Sequence, residues 1–248
     1  MIKAIVMDLD DTLLKYDKTI SEFTIGALKK CAANGIKLVF ATGRGASSNE
    51  LVPANFFDAR IMYNGAIAEI DSTLVFSQLI ASQTYAPFLG EMSRLNLRAA
   101  AEIGGIHYAN FDVSAMWERK FVIADFAKLK EDAEKLYVIL NGSEDAEKIA
   151  ENLPFGLYPH FTKDGLALIM NSKATKLNAL SAVLRQLNID FKDTIAFGDD
   201  VNDKEILKKC GIGVAMANAL EGVKMIADDV CGDCDSDGVA NYLVSHVL

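Results

Sequence analysis

Four short runs of nearly unbroken apolar residues constrain this chain more than any other feature. They are residues 2–7 (IKAIVM, interrupted only by Lys3), 36–41 (IKLVFA), 194–197 (TIAF) and, more weakly, 213–216 (GVAM). A strand that faces water on one side alternates apolar with polar residues. A run without that alternation suits a strand buried on both faces, as in a parallel sheet covered by helices. Helical patterns lie between the runs. Residues 21–34 carry Ile25, Leu28 and Ala32 at helical spacing, with Gly35 as a stop. Residues 176–188 carry Leu177, Leu180, Val183, Leu184 and Leu187 on one face. The alternation predicts a doubly wound, Rossmann-like α/β core built on a parallel sheet.

The middle of the chain reads differently. A helical stretch at 85–95 is followed by two extended runs joined by Gly104-Gly105, a hairpin signal. A further strand is expected at 136–140 and a helix at 143–152 capped by Ser143. Two last strands, 157–161 and 166–170, are joined by Thr162-Lys163-Asp164-Gly165. This is the pattern of an antiparallel sheet with helices on one side, an α+β unit inserted into the core. The division expected is 1–80 with 171–248 for the core and 81–170 for the insert.

At 248 residues the chain can bury roughly 70–75% of its unfolded surface, so no disulfide staples are needed. Its four cysteines read as free thiols. The formal net charge of −9 disfavours nucleic acid and anionic membranes as partners. No apolar stretch reaches the ~20 residues that span a bilayer. The start of the chain, MIKAIVMDLDD, lacks the pattern of a secretory signal, and a cytoplasmic protein is expected.

In open α/β sheets ligands bind outside the carboxyl ends of the strands. Here those ends are where the polar residues gather: Asp8-Leu9-Asp10-Asp11-Thr12, Thr42-Gly43-Arg44, and Gly198-Asp199-Asp200-Val201-Asn202-Asp203. Asp8 and Asp10 lie where the chain turns off its strand, so both can approach one ligand, one as nucleophile and one as general acid. Asp199 and Asp203, four apart, would share a helix face if a helix begins there. Hard carboxylate oxygens suit Mg²⁺. Any one of these aspartates is as readily a helix cap; the four together are not.

At this point the chain resembles the haloacid dehalogenase-like hydrolases, and among them the Cof-like, sugar-phosphatase-like branch. Asp8-Leu9-Asp10-Asp11-Thr12 is similar to their first motif, Ala41-Thr42-Gly43-Arg44 to the second, Lys176 to the lysine of the third and Gly198–Asp203 to the fourth. Asn64-Gly65-Ala66, the stretch Gly213–Ala219 and Asp237-Gly238-Val239-Ala240 resemble further signatures of the branch. Position 11 is Asp where many relatives have Gly. Lys176 is followed by Leu177 rather than Gly, and Lys173 is an alternative for its role.

The resemblance implies a Mg²⁺-dependent phosphatase acting on a small phosphorylated metabolite, with the insert as a cap domain. Asp8 would form an aspartyl-phosphate, and Asp10 would protonate the leaving group. Thr42 and Lys176 would bind the phosphoryl oxygens, with Gly43, Arg44, Asn64 and Asn202 as further substrate contacts. The metal would be held by Asp8, Asp199, Asp203 and the backbone carbonyl of Asp10. A phosphomutase using the same aspartate, or a non-catalytic phosphate-binding protein, is the competing reading.

Other signals weigh less. Cys231-Gly232-Asp233-Cys234 has redox or zinc spacing but lacks further ligands. Asp233, Asp235 and Asp237 open like a calcium loop, but position twelve is Val244 rather than Glu. His107 and His160 read as structural. Trp117, Arg119 and Lys120 form an aromatic and basic cluster that could meet a leaving group.

Overall fold

A computed structural model describes residues 1–53, 56–115, 120–162 and 164–248. The chain forms two compact units: Met1–Ser77 with Thr175–Leu248 (unit 1), and Gln78–Ala174 (unit 2). In chain order, unit 1 begins with β1 (Ala4–Met7), α1 (Glu22–Ala33), β2 (Lys37–Ala41), β3 (Ala59–Met62), β4 (Ile67–Ile70) and β5 (Thr73–Ser77). Unit 2 follows with α2 (Ser82–Arg94), β6 (Ala99–Ile103), β7 (Ile106–Ala109), β8 (Phe121–Ile123), β9 (Lys135–Ile139), α3 (Glu144–Asn152), β10 (Leu157–Phe161) and β11 (Leu166–Asn171). Unit 1 resumes with α4 (Lys176–Leu187), β12 (Thr194–Gly198), α5 (Lys204–Lys209), β13 (Ile212–Ala215), α6 (Glu221–Lys224), β14 (Asp229–Val230) and α7 (Gly238–His246).

The sheet of unit 1 runs β14-β13-β12-β1-β2-β3-β4-β5. It is parallel from β14 to β3 and closes with the antiparallel pairs β3–β4 and β4–β5. The four apolar runs became β1, β2, β12 and β13. All of β1 is buried, and Phe40, Phe197, Ile5, Met7 and Leu38 are among the largest fully buried side chains. Each contributes about 1.5–3 kcal/mol by leaving water. Register then places the site: Met7 lies opposite both Phe197 and Phe40, so β1, β2 and β12 end at one level.

The helices carry the capping chemistry that their ends need. Ser21 accepts the Thr24 N–H to start α1, and Gly35 follows its end at φ +80°. Thr175 accepts the Asn178 N–H to start α4. Gly65 sits against that start. Its φ is +100°, and a Cβ there would lie 2.2 Å from the Thr175 carbonyl oxygen, so only glycine fits.

Unit 2 has a six-stranded sheet in the order β10-β11-β9-β6-β7-β8. Tyr85, Phe88, Leu89 and Met92 of α2 and Ile149 of α3 pack on Ala99, Ala101, Leu136, Val138, Ala167 and Ile169. Gly104 and Gly105, at φ +58° and +77°, form the expected hairpin turn.

Several expectations are corrected. The sheet is mixed, because β8 pairs parallel to β7. Ser143 is not a cap: its backbone is already helical and its hydroxyl caps nothing, while Asp145 takes the Asn141 N–H at 2.8 Å instead. The break between units falls after Ser77 and Ala174 rather than 80 and 170. The hairpin β4–β5 was not anticipated, since β5 is largely exposed and its turn is Asp71-Ser72 rather than a glycine pair. Among the described residues no helix is long and apolar enough to cross a membrane.

Candidate active site

After Met7 the chain leaves the sheet in a tight turn. The Leu13 N–H reaches the Asp8 carbonyl at 3.3 Å and the Leu14 N–H reaches Leu9 at 2.8 Å. Asp11 adopts φ +56° within it, a left-handed conformation that glycine adopts without strain and aspartate tolerates better than most residues. Asp8 is buried, its side chain 10% exposed. The Nζ of Lys176, the first residue of α4, lies 3.0 Å from Asp8 and 2.6 Å from Asp203. Lys173 belongs to unit 2.

Asp203 is wholly buried. Its Oδ1 takes the Lys176 ammonium, and its Oδ2 accepts the backbone N–H groups of Asp199 and Asp200, each at 3.1 Å. Asp200 reciprocates as the other half of a capping box. The helix-face expectation for Asp199 and Asp203 is thereby corrected. Asp199 follows β12 and precedes the helical turn, and the capping box brings Asp203 back towards it. Gly198 makes room, since a Cβ there would lie 2.5 Å from the Asp203 side chain. Thr12 joins the first and fourth motifs by donating to Asp199 Oδ1 at 2.8 Å.

Asp8, Asp199 and Asp203 each offer a carboxylate oxygen within 4.8 Å of the others. Three carboxylates against the one ammonium of Lys176 leave two surplus negative charges in a partly desolvated space. Desolvation and the neighbouring carboxylates push Asp8 well above the ordinary carboxylate range, against the pull of Lys176. Burial, with a further push from Asp203, lifts Asp199 to about 7, although the Thr12 hydrogen bond opposes it. Burial opposes the charge on Lys176, but Asp203 and Asp8 outweigh it and keep the ammonium protonated. A divalent, oxygen-preferring cation fits this donor set and its charge deficit. The carboxylate of Asp10 is not part of the cluster.

A pH dependence follows. Folded Asp199 keeps its proton up to about 7, whereas the unfolded chain loses it near 3.8. Across that window the folded state binds the extra proton, so stability falls as pH rises. In EDTA, urea unfolding is expected at lower urea at pH 8 than at pH 5, with a smaller drop for Asp199→Asn. Mg²⁺ is expected to recover the loss at pH 8. Equal midpoints at the two pH values in EDTA would contradict the charge surplus.

A second cluster surrounds Asp10. Arg44 donates through Nε to Oδ2 at 2.6 Å and through Nη2 to Oδ1 at 2.7 Å. Lys18 Nζ lies 3.0 Å from Oδ1 and 3.1 Å from Asp11. Burial works to raise the pKa of Asp10, but Arg44 and Lys18 prevail and hold it below the usual range. The buried Thr42 hydroxyl accepts the Arg44 N–H at 3.1 Å and keeps its own proton to donate. Asn202 donates to Asn64 at 2.8 Å, and Gly43 is tight against Asn64, which a Cβ would approach to 3.1 Å.

Thr12, Lys18 and Asn218 had no role in the sequence reading. Asn218 donates to the Asp11 carbonyl at 2.7 Å and accepts the Cys234 N–H at 3.1 Å, tying the C-terminal loop to the Asp8 turn. Thr12 and Asn218 stand inside quoted motifs, a signal that was available; Lys18 had none.

The other signals find structural uses. The thiols are free, and burial pushes Cys231 to about 12 and Cys234 to about 11. Asp235 takes the Tyr16 N–H and Asp237 the Thr24 hydroxyl, at 3.0 and 3.2 Å. His107 is bonded to Tyr137 at 3.0 Å inside unit 2, and His160 is exposed. Lys120 is exposed, whereas Trp117 and Arg119 lie outside the described residues.

A family model of haloacid dehalogenase-like hydrolases matches residues 5–243. The chain belongs to that family. Its relatives include phosphatase YwpJ of Bacillus subtilis, 27% identical over all of both chains. The HMP-PP phosphatase of Klebsiella pneumoniae is 26% identical, covering 98% of this chain and 95% of that one. Among solved structures, BT1666 of Bacteroides thetaiotaomicron, described among the phosphatases of the HAD superfamily, superposes with a TM-score of 0.85 at 28% identity, covering 99% of this chain and 95% of that one. Within the haloacid dehalogenase-like hydrolases this chain is therefore a phosphatase.

Proposed function

We propose that this phosphatase hydrolyses small phosphate monoesters through an aspartyl-phosphate on Asp8 and uses Mg²⁺. The observation that carries the reading is a buried carboxylate, Asp8, held against a buried ammonium, Lys176, beside two more carboxylates. A structural ion pair has no need of that negative surplus, whereas an anionic nucleophile facing a phosphate needs cations gathered around it.

In the first half-reaction a carboxylate oxygen of Asp8 bonds to phosphorus. The bond from phosphorus to the leaving oxygen breaks, its electron pair going to that oxygen, and Asp10, which enters the step protonated once Arg44 has turned from it to the phosphate, gives it a proton. In the second, Asp10 takes a proton from water, the water oxygen bonds to phosphorus, and the Asp8–phosphorus link breaks to release phosphate. Lys176 and the Thr42 hydroxyl donate to the non-bridging oxygens. Arg44, Asn64 and Asn202 line the approach, with Gly43 leaving the backbone open.

Asp8 and Asp199 would hold Mg²⁺ with the Asp10 backbone carbonyl. Asp203 would join them as a ligand and would also fix Lys176 and the Asp199 backbone. When bound, the ion supplies positive charge that offsets repulsion between Asp8 and the phosphate. Relatives named for a pyridoxal phosphate phosphatase and an HMP-PP phosphatase support a small phosphorylated metabolite as substrate.

The test is release of phosphate from p-nitrophenyl phosphate, sugar phosphates and pyridoxal phosphate. Turnover is expected with Mg²⁺, lost in EDTA and restored when Mg²⁺ is returned. Silence on every ester with Mg²⁺ present would sink the reading.

A further inference from the structure

The turn after the Asp8 loop is built with more care than a surface turn requires. The Lys15 N–H donates to the Thr19 carbonyl at 3.0 Å, and the Lys18 N–H donates to the Lys15 carbonyl at 2.8 Å. Asp17 accepts both the backbone N–H and the hydroxyl of Thr19, at 2.9 and 2.6 Å. At its tip Lys18 sits at φ +66°, a left-handed conformation that a long side chain rarely adopts. Its ammonium is thereby delivered to Asp10, and its side chain is still 38% exposed. An ion pair so open to water contributes little to stability. The pairing with Asp10 therefore does not repay the strained backbone as a stability device, and strain of this kind collects at functional sites.

The contacts on Asp10 are unequal in a way that matters chemically. Among the described residues, Oδ1 is held twice, by Lys18 and by Nη2 of Arg44, and Oδ2 once, by Nε of Arg44. A turn of Arg44 towards an arriving phosphate would free Oδ2 and leave Oδ1 tethered to Lys18. A carboxyl group that passes a proton needs one open oxygen, aimed at the leaving atom, and a fixed pivot.

We propose that Lys18 is a positioning residue for leaving-group protonation: it pins Oδ1 of Asp10 so that Oδ2 faces the scissile bond once Arg44 has turned away. The inference rests on the reading of Asp10 as the group that protonates the leaving oxygen.

The test compares p-nitrophenyl phosphate, whose leaving group departs without help, with phenyl phosphate, whose more basic leaving group needs a proton. In the Mg²⁺-loaded enzyme, Lys18→Met raises the ratio of kcat/KM, which reports the first half-reaction, for the nitrophenyl over the phenyl ester by about tenfold or more. Lys18→Arg, which keeps a cation on Oδ1, restores most of the wild-type ratio. In an Asp10→Asn background Lys18→Met adds no further change in the ratio, because its effect runs through Asp10. An unchanged ratio in Lys18→Met, or a full additional effect in the Asp10→Asn background, overturns the role of Lys18. An unchanged ratio in Asp10→Asn itself overturns the role given to Asp10.

Discussion

Asp8→Asn is expected to lower kcat by roughly 10⁴- to 10⁶-fold on every ester, the loss typical of removing a nucleophile. The substitution keeps the shape of the side chain and removes its charge. It also relieves a crowded cluster. Asp8 is buried among carboxylates that push its pKa up, so its ionised form is a burden on the folded protein when no metal is bound. The variant is therefore expected to unfold in EDTA at pH 8 no earlier than wild type, although it is inactive. Together the two outcomes separate chemistry from folding. Acid-quenched turnover mixtures, digested and weighed by mass spectrometry, should show a phosphoryl group on the Asp8 peptide of the wild type and none in the variant. Turnover persisting above about one part in a hundred would mean that another group attacks phosphorus.

Lys176→Met is expected to fail on both counts. It removes a donor to the phosphoryl oxygens, a loss of about 10²- to 10³-fold in kcat. It also strands Asp8 and Asp203 in a buried site without their cation, which costs on the order of 3–5 kcal/mol at pH 8. The stability defect should shrink at pH 5. Asp8 and Asp199 have raised pKa values, so the cluster takes up protons as pH falls, and fewer unpaired charges remain. Urea unfolding of wild type and variant at the two pH values, in EDTA, measures the difference. A defect of equal size at both would show that Lys176 contributes packing rather than charge. Lys173→Met, a change in unit 2, is the control.

The parts of the fold that were legible are those decided by local pattern. Strands buried on both faces announce themselves as unbroken apolar runs, and β1, β2 and β12 were visible for that reason. The polar tips were visible because ligands in such a sheet bind outside the carboxyl ends of the strands, where the aspartates gather. What pattern could not supply was the third dimension of the contacts. Spacing and the helix that follows favour Lys176 and keep Lys173 as an alternative; the boundary between units separates them, with Lys176 on the side of Asp8. The bonds from Thr12 to Asp199 and from Asn218 to Asp11 join residues nearly two hundred positions apart or more, beyond the reach of any window. The convergence of Asp199 and Asp203 was anticipated for the wrong reason, since a capping box does what a helix face was expected to do. Ser143 failed as a cap because a capping residue type is only an opportunity, and Asp145 already served the neighbouring backbone.

The contact between Gly65 and Thr175 bears on how such enzymes diversify. The chain departs from unit 1 after Ser77, runs through the whole of unit 2, and returns at Thr175. That returning residue is at once the cap of α4, the neighbour of the glycine turn and the immediate predecessor of Lys176. Re-entry is thus nailed down one step before the lysine that faces Asp8. A change of length between Gln78 and Ala174 is therefore expected to leave that lysine's aim to the Thr175 cap and the Gly65 turn, so that the insert can vary while the chemistry of the host stays in register.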